Sequence, residues 1–377
     1  MKGKQGMVCM GLLLVLSSCH TGKQITASGL QRKDFQTEVN GQHTDLFTLS
    51  NKQGMEVCIT NYGARVVSIL VPDRNGKRKD VVCGFSTITE YMEQRQNFGS
   101  TVGRYIGRIL NARFTLDGVE YKLVPNNGKS GHISHGGNPG FADRIWKVEQ
   151  ADTHRVRLSY LSPDGENGFP GNLKVTLVYS LGEDDNALDL TYEATTDAPT
   201  VLNLSHHSFF NISGNFTKSV EDQQLWVDAD RFTPYDDKKC VTGEYLQVAG
   251  TPLDFRMPHA IGECIDADHP QLKVVNGYDH TWELNTKGDD TRPAAWVYDP
   301  ASGRKMEIFT TEPGMQIYTG NGLKGKMTGK GGIAYPFRSA VCFETMHFQD
   351  SPNQPGFPST VLRPGEVFRS HTVYKFE

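Results

Sequence analysis

Over short runs between Phe35 and Phe376, apolar residues recur at every second position. Leu173, Val175, Leu177 and Tyr179 alternate with polar neighbours, an acidic turn spans Gly182 to Asn186, and Leu188, Leu190 and Tyr192 resume the same period. Successive side chains of a strand point to opposite faces, so this spacing predicts a hairpin with one buried face. Phe114 to Tyr121 predicts a second hairpin, because Asp117-Gly118 readily takes the positive φ angles of a type I′ turn. A third joins Trp296-Val297-Tyr298 to Met306-Glu307-Ile308 through Pro300 to Gly303.

No stretch of a dozen residues keeps apolar spacing at i, i+3, i+4 and i+7, and Gly and Pro interrupt the runs throughout. Helices are therefore expected to be few and short. There is no repeat, low-complexity linker or composition break after Lys33. The expected fold is all-β, a single large antiparallel β-sandwich over residues 34–377.

The first residues differ in kind. Lys2 and Lys4 precede an apolar run from Met7 to Leu16, which meets Leu16-Ser17-Ser18-Cys19. That run is too short to span a bilayer as a mature helix. Small residues before a cysteine resemble a bacterial lipoprotein signal. On that reading residues 1–18 are a signal peptide, Cys19 is the lipidated first residue, and 19–33 form the lipidated N-terminus and tether; an ordinary secretory signal is the alternative. Both make the protein exported, periplasmic or at the cell surface, and on the lipoprotein reading it touches the membrane only through a lipid at Cys19.

The net charge of −4 is spread without a basic stripe or an acidic tail, which argues against nucleic acid as a partner. Nothing calls for a second chain, and a monomer or weak dimer is expected. After Cys9 and Cys19, the cysteines Cys58, Cys83, Cys240, Cys264 and Cys342 are odd in number and lack Cys-x-x-Cys spacing. They read as buried small hydrophobes, with at most one or two disulfides.

The candidate chemistry begins with Asn203-Leu204-Ser205-His206-His207-Ser208-Phe209-Phe210-Asn211. Adjacent strand residues face opposite sides, so only one of His206 and His207 can enter a given pocket. Its counterpart is Glu344 in Val341-Cys342-Phe343-Glu344-Thr345, where burial would raise the carboxyl pKa towards a useful base. No His-Glu-x-x-His or cysteine cluster completes a metal site, so no metal is expected. Gly131-His132-Ile133-Ser134-His135-Gly136-Gly137 sets a histidine on a loop whose glycines would let a ligand approach the backbone. Phe98 to Arg108 lacks dinucleotide-loop spacing, and its arginines could donate forked hydrogen bonds to hydroxyls. Asn276 to His280 and Glu312 to Tyr318 place acceptors and amides beside aromatics, as sugar sites do.

Taken together and in order, these segments resemble the aldose 1-epimerase (galactose mutarotase) family from about Phe35 to Phe376. Asp164 to Gly171, Leu253-Asp254-Phe255-Arg256 and Pro355 to Ser359 add to the likeness. The resemblance implies a large β-sandwich that interconverts the α and β anomers of a free hexose such as galactose or glucose without a cofactor. It places the general acid on His207, the general base on Glu344 and a second active-site histidine on His135. Substrate-hydroxyl contacts fall on Arg108, Asp279 and Gln316. Two positions depart from the family pattern: Gly107 and His206 stand where it usually has Asn, and Gly107 removes a possible sugar contact.

Three other readings stay open at this level. A glycosidase would use two opposed carboxylates, for which Asp279 and Glu344 could serve. A hexose-phosphate epimerase of the same fold would want a Lys/Arg cluster, and none is evident. A non-catalytic sugar-binding lipoprotein would not need both His207 and Glu344.

Overall fold

The structure, a computed structural model, describes residues 24–377. Three antiparallel sheets carry the architecture. The largest has nine strands in the spatial order Lys147–Ala151, Arg155–Ser162, Leu173–Leu181, Ala187–Thr196, Phe368–Phe376, Lys305–Thr310, Ala295–Tyr298, Gln224–Val227 and His259–Ala260. A six-stranded sheet runs Phe209–Phe210, Val341–Met346, Gly314–Tyr318, Asp279–Glu283, Arg231–Thr233 and Leu246–Gln247, and a four-stranded sheet is built from Leu46 to Asp80.

The period-2 pattern explains how they stack. In Leu173–Leu181 every odd-numbered residue is buried, and Leu177 lies opposite Tyr192 in the neighbouring strand. One continuous core joins these residues to Val57, Val66 and Ile69 of the four-stranded sheet and to Trp282, Ile317 and Phe343 of the six-stranded one. The nine-stranded sheet thus covers both smaller sheets with one apolar face, the geometry of a sandwich. The chain is all-β as its sequence predicts: its described α-helices are Ile88–Gln94 and Pro270–Val275.

All three hairpins form. Leu116 pairs with Val119, which leaves Asp117 and Gly118 as a two-residue loop with φ of 51° and 80°. Val297 pairs with Met306 across the Pro300–Gly303 loop. Cys58, Cys83, Cys240, Cys264 and Cys342 are all free thiols. Among the described residues, no helix is long and apolar enough to cross a membrane.

The expected signal and Cys19 lie outside the described residues. The segment read as a tether is, from Ala27 onward, fastened to the sandwich. Glu56 is buried, and its carboxylate accepts the Ala27 and Ser28 N–H groups at 3.0 and 3.1 Å; Arg32 forks onto Asp45.

Candidate active site

The six-stranded sheet forms the floor of the site. Its register sets Gln316 directly opposite Glu344 on one side and Thr281 on the other, while Tyr318 lies between Asp279 and Cys342. Cross-strand partners share a face, so Asp279, Gln316, Tyr318, Cys342 and Glu344 all project the same way. Phe209, paired with Cys342, extends that face.

His207 arrives from elsewhere. Ser205–His207 pairs with Ser100–Val102, and the Gly99 N–H donates to the His207 carbonyl at 3.0 Å. The alternation expected for adjacent histidines is observed. His206 turns away to the Ser208 hydroxyl at 2.6 Å and the Tyr179 hydroxyl at 3.4 Å, and burial lowers its pKa to about 3, so it stays neutral inside the sandwich. His207 stacks on Phe209 with centroids 5.0 Å apart and reaches the floor.

The third wall comes from a small ladder in which Ser134 pairs with Arg108 and the His135 N–H donates to the Gly107 carbonyl at 2.9 Å. Here the structure corrects one expectation. The chain itself crowds two of the loop's glycines, since a β-carbon on Gly136 would lie 2.0 Å from the Gly103 carbonyl oxygen and one on Gly137 2.5 Å from Asn167 Cγ, whereas Gly131 has open space around it. The arginines of the neighbouring segment also divide. Arg104 is buried and braces loops by donating to the carbonyls of Pro170 and Gly171 at 2.8 and 2.9 Å, whereas Arg108 stays at the rim, held by the Lys239 carbonyl at 3.3 Å.

Together these elements enclose a cleft of about 250 Å³, large enough for one pyranose ring, lined by all six residues singled out from sequence: Arg108, His135, His207, Asp279, Gln316 and Glu344. His207 Nε2 lies 3.3 Å from Glu344 Oε1, with both side chains only 6% and 5% exposed. His207 Nδ1 faces the Cys342 thiol at 3.7 Å. Burial pushes that thiol well above its ordinary range, so it stays uncharged at neutral pH, and its sulfur can accept from Nδ1–H, which leaves Nε2 to the proton shared with Glu344. His135 meets His207 edge-on at 5.5 Å. Burial, with Arg108 nearby, lowers the His135 pKa to about 4, so it is a neutral imidazole.

Burial also dominates the central pair. It drives the His207 pKa well below the usual imidazole value and the Glu344 pKa well above the usual carboxylate value, with the charge of Asp279 pushing Glu344 further. Both shifts favour uncharged forms. A neutral imidazole beside a carboxylic acid holds one proton in total, the same number as imidazolium beside carboxylate, so the proton can pass between the two atoms without exchange with solvent. Asp279 is raised by burial, against the opposing pull of Arg108 and the Gln316 amide, which donates to its Oδ1 at 2.6 Å.

One atom each from His207, Cys342 and Glu344 lies within 4.8 Å of the others, a spacing a metal ion could accept. The donor set fits one poorly, because the thiol sits behind the ring at Nδ1 while the carboxylate meets Nε2.

Sequence reasoning missed Tyr235 and Gln349. Gln349 lines the cleft and donates to the Tyr235 hydroxyl at 2.6 Å. Neither residue sits in a motif. Only the proximity of Gln349 to Glu344 along the chain could have drawn notice to it.

A large β-sandwich whose polar, amide- and carboxylate-lined cleft holds one imidazole and one carboxyl in contact is the build of a sugar isomerase working by proton transfer. Residues 45–375 match the family model described as aldose 1-epimerase, and the chain belongs to that family. It is 40% identical to the galactose mutarotase of Bos taurus over 331 residues, covering 88% of this chain and 93% of that one. It is 36% identical to the aldose 1-epimerase of Escherichia coli K12, covering 89% and 96%. Among solved structures, an aldose epimerase homologue from C. elegans superposes with a TM-score of 0.81 at 31% identity, covering 89% of this chain and 99% of that one. A galactose 1-epimerase from Lactobacillus acidophilus gives 0.78 at 28%, covering 90% and 96%.

Proposed function

We propose that the protein interconverts the α and β anomers of a free aldose, of the hexose type represented by galactose and glucose, with Glu344 as general base and His207 as general acid. The observation that carries this reading is the 3.3 Å contact between His207 Nε2 and Glu344 Oε1 at the floor of a ring-sized cleft. The reactive form is imidazolium with carboxylate. Glu344 takes the proton of the anomeric hydroxyl, the bond between C1 and the ring oxygen breaks with its electron pair passing to that oxygen, and the His207 Nε2–H protonates it. An open-chain aldehyde results. Rotation about C1–C2 presents its other face, and the same transfers in reverse close the ring as the second anomer.

The electrostatics favour that direction. Ring opening converts two buried charges into a neutral imidazole and a carboxylic acid, the forms that burial prefers for these side chains. Each proton transfer is worth on the order of 10² to 10⁴ in rate. Arg108, Asp279 and Gln316 would hold the ring hydroxyls, and neutral His135 would donate or accept one hydrogen bond beside His207.

The proposal extends to location: an exported lipoprotein with residues 1–18 as signal and Cys19 as the acylated residue. The domain then begins close behind the anchor, because the chain is fastened to the sandwich from Ala27. Such a protein would equilibrate anomers released by glycan breakdown outside the cytoplasm, before uptake.

Polarimetry on freshly dissolved α-galactose and α-glucose, set beside nitrophenol release from aryl glycosides, tests the reaction. Faster anomer exchange without aglycone release is expected. Aglycone release would transfer the pair Asp279 and Glu344 to a glycosidase mechanism.

A further inference from the structure

Gly107 and Gln349 compete for one volume. Gly107 holds φ at +75°, and a β-carbon there would lie 2.6 Å from Gln349 Cγ, 3.2 Å from Cδ and 3.4 Å from Cβ. The Gln349 side chain therefore passes directly over the glycine, and both residues line the cleft that contains His207 and Glu344. Gln349 is not loosely placed: it is 5% exposed, and its Nε2 donates to the Tyr235 hydroxyl at 2.6 Å and to Gln316 Oε1 at 3.3 Å. Gln316 passes the chain of hydrogen bonds to Asp279. With the nitrogen committed, the carboxamide oxygen accepts no hydrogen bond among the described residues, and it is not one of their sealed, unpartnered polar atoms.

We infer that Gln349 is a specificity-determining residue: its carboxamide oxygen accepts a hydrogen bond from one ring hydroxyl of the bound aldose, and glycine at 107 is what gives the side chain room to do so. This rests on the aldose-isomerase reading above. The amide that the family resemblance leaves missing at position 107 is supplied from the segment after the Glu344 strand. A sugar without that hydroxyl leaves the oxygen facing an apolar carbon and is bound more weakly.

The test is a selectivity profile for the full-length protein with glucose, galactose and their deoxy analogues, measured on wild type, Gln349→Met and Gln349→Ala. Methionine fills nearly the same volume without either amide atom, so it separates loss of the hydrogen bond from loss of packing. For the parent sugar, KM is expected to rise about 3- to 10-fold in Gln349→Met, the usual worth of one neutral hydrogen bond, with kcat within about twofold. One deoxy sugar, penalised by wild type, should be handled by Gln349→Met as well as the parent sugar is. Gly107→Asn should weaken substrate binding when Gln349 is present and regain it in Gly107→Asn/Gln349→Ala, because asparagine tolerates the positive φ once the glutamine is gone. Deoxy-sugar penalties that are unchanged in both Gln349 variants would overturn the assignment, as would Gly107→Asn binding sugar as wild type does. Wild type that accelerates no aldose would instead defeat the activity proposed above, so the two failures are distinct.

Discussion

His207 Nε2 and Glu344 Oε1 are 3.3 Å apart and nearly sealed from solvent, although one belongs to a three-residue strand paired with Ser100–Val102 and the other to the six-stranded floor. Neither group keeps its ordinary affinity for protons. Burial depresses one and elevates the other, so the pair behaves as a single one-proton device.

That device has a pH profile. The pair is active only while it holds one proton. It gains a second below the depressed pKa of His207 and loses its only one above the elevated pKa of Glu344. We expect kcat/KM to stay flat through neutral pH, with its acid limb well below the imidazole reference of about 6.5. A half-maximal point near that reference, measured by polarimetry across pH, would contradict the coupled assignment.

Stability should move against activity at Glu344. Its carboxyl holds its proton more tightly folded than unfolded, so between the ordinary carboxylate pKa and the raised one the folded state binds more protons. Stability therefore falls as pH rises through that window. Glu344→Gln removes the titrating group, and with it the cost of holding that proton in the folded state, in nearly the same shape. Anomer exchange should drop by at least about 10²-fold while sugar binding remains measurable, and the melting temperature at pH 8 should rise by roughly 2 °C for each ~1 kcal/mol of relieved burial. A thermal melt showing lower stability than wild type at pH 8 would refute the account.

Because the two groups share one proton, their losses should not add. His207→Asn and Glu344→Gln are each expected to cost about 10² to 10⁴ in kcat. The double variant should be little worse than the poorer single one, since neither group can act in the absence of the other. Losses that multiply in the double variant would mean two independent devices.

Arg108 stands at the rim with a guanidinium bonded to the Lys239 carbonyl and free to turn further donors into the cleft. Arg108→Ala should raise KM about 10- to 100-fold, as expected for a charge-assisted hydrogen bond, and change kcat much less. Equal losses in kcat and kcat/KM would instead assign Arg108 to the chemical step.

Local pattern made the strands legible, because a half-buried strand must alternate: Leu173 to Tyr179 and Leu188 to Tyr192 announce their own pairing. The Asp117-Gly118 turn was legible for a similar reason, since few other residues accept two consecutive positive φ angles. The order of histidine, amide and carboxylate segments along the chain pointed to the six cleft residues and to one family. What local pattern could not convey was contact between distant residues. Gly136 looks like a ligand-binding glycine until the Gly103 carbonyl is found against it, and Arg104 resembles Arg108 until one is buried under loops and the other faces the cleft. The sequence by itself determined the sheets, the turns and the types of functional group, because these depend on neighbours a few residues apart. Only the tertiary structure decided which groups touch, which lose their charge to burial, and that Gln349 fills the space over Gly107, because desolvation and shared volume arise between segments that meet only when the sheets stack.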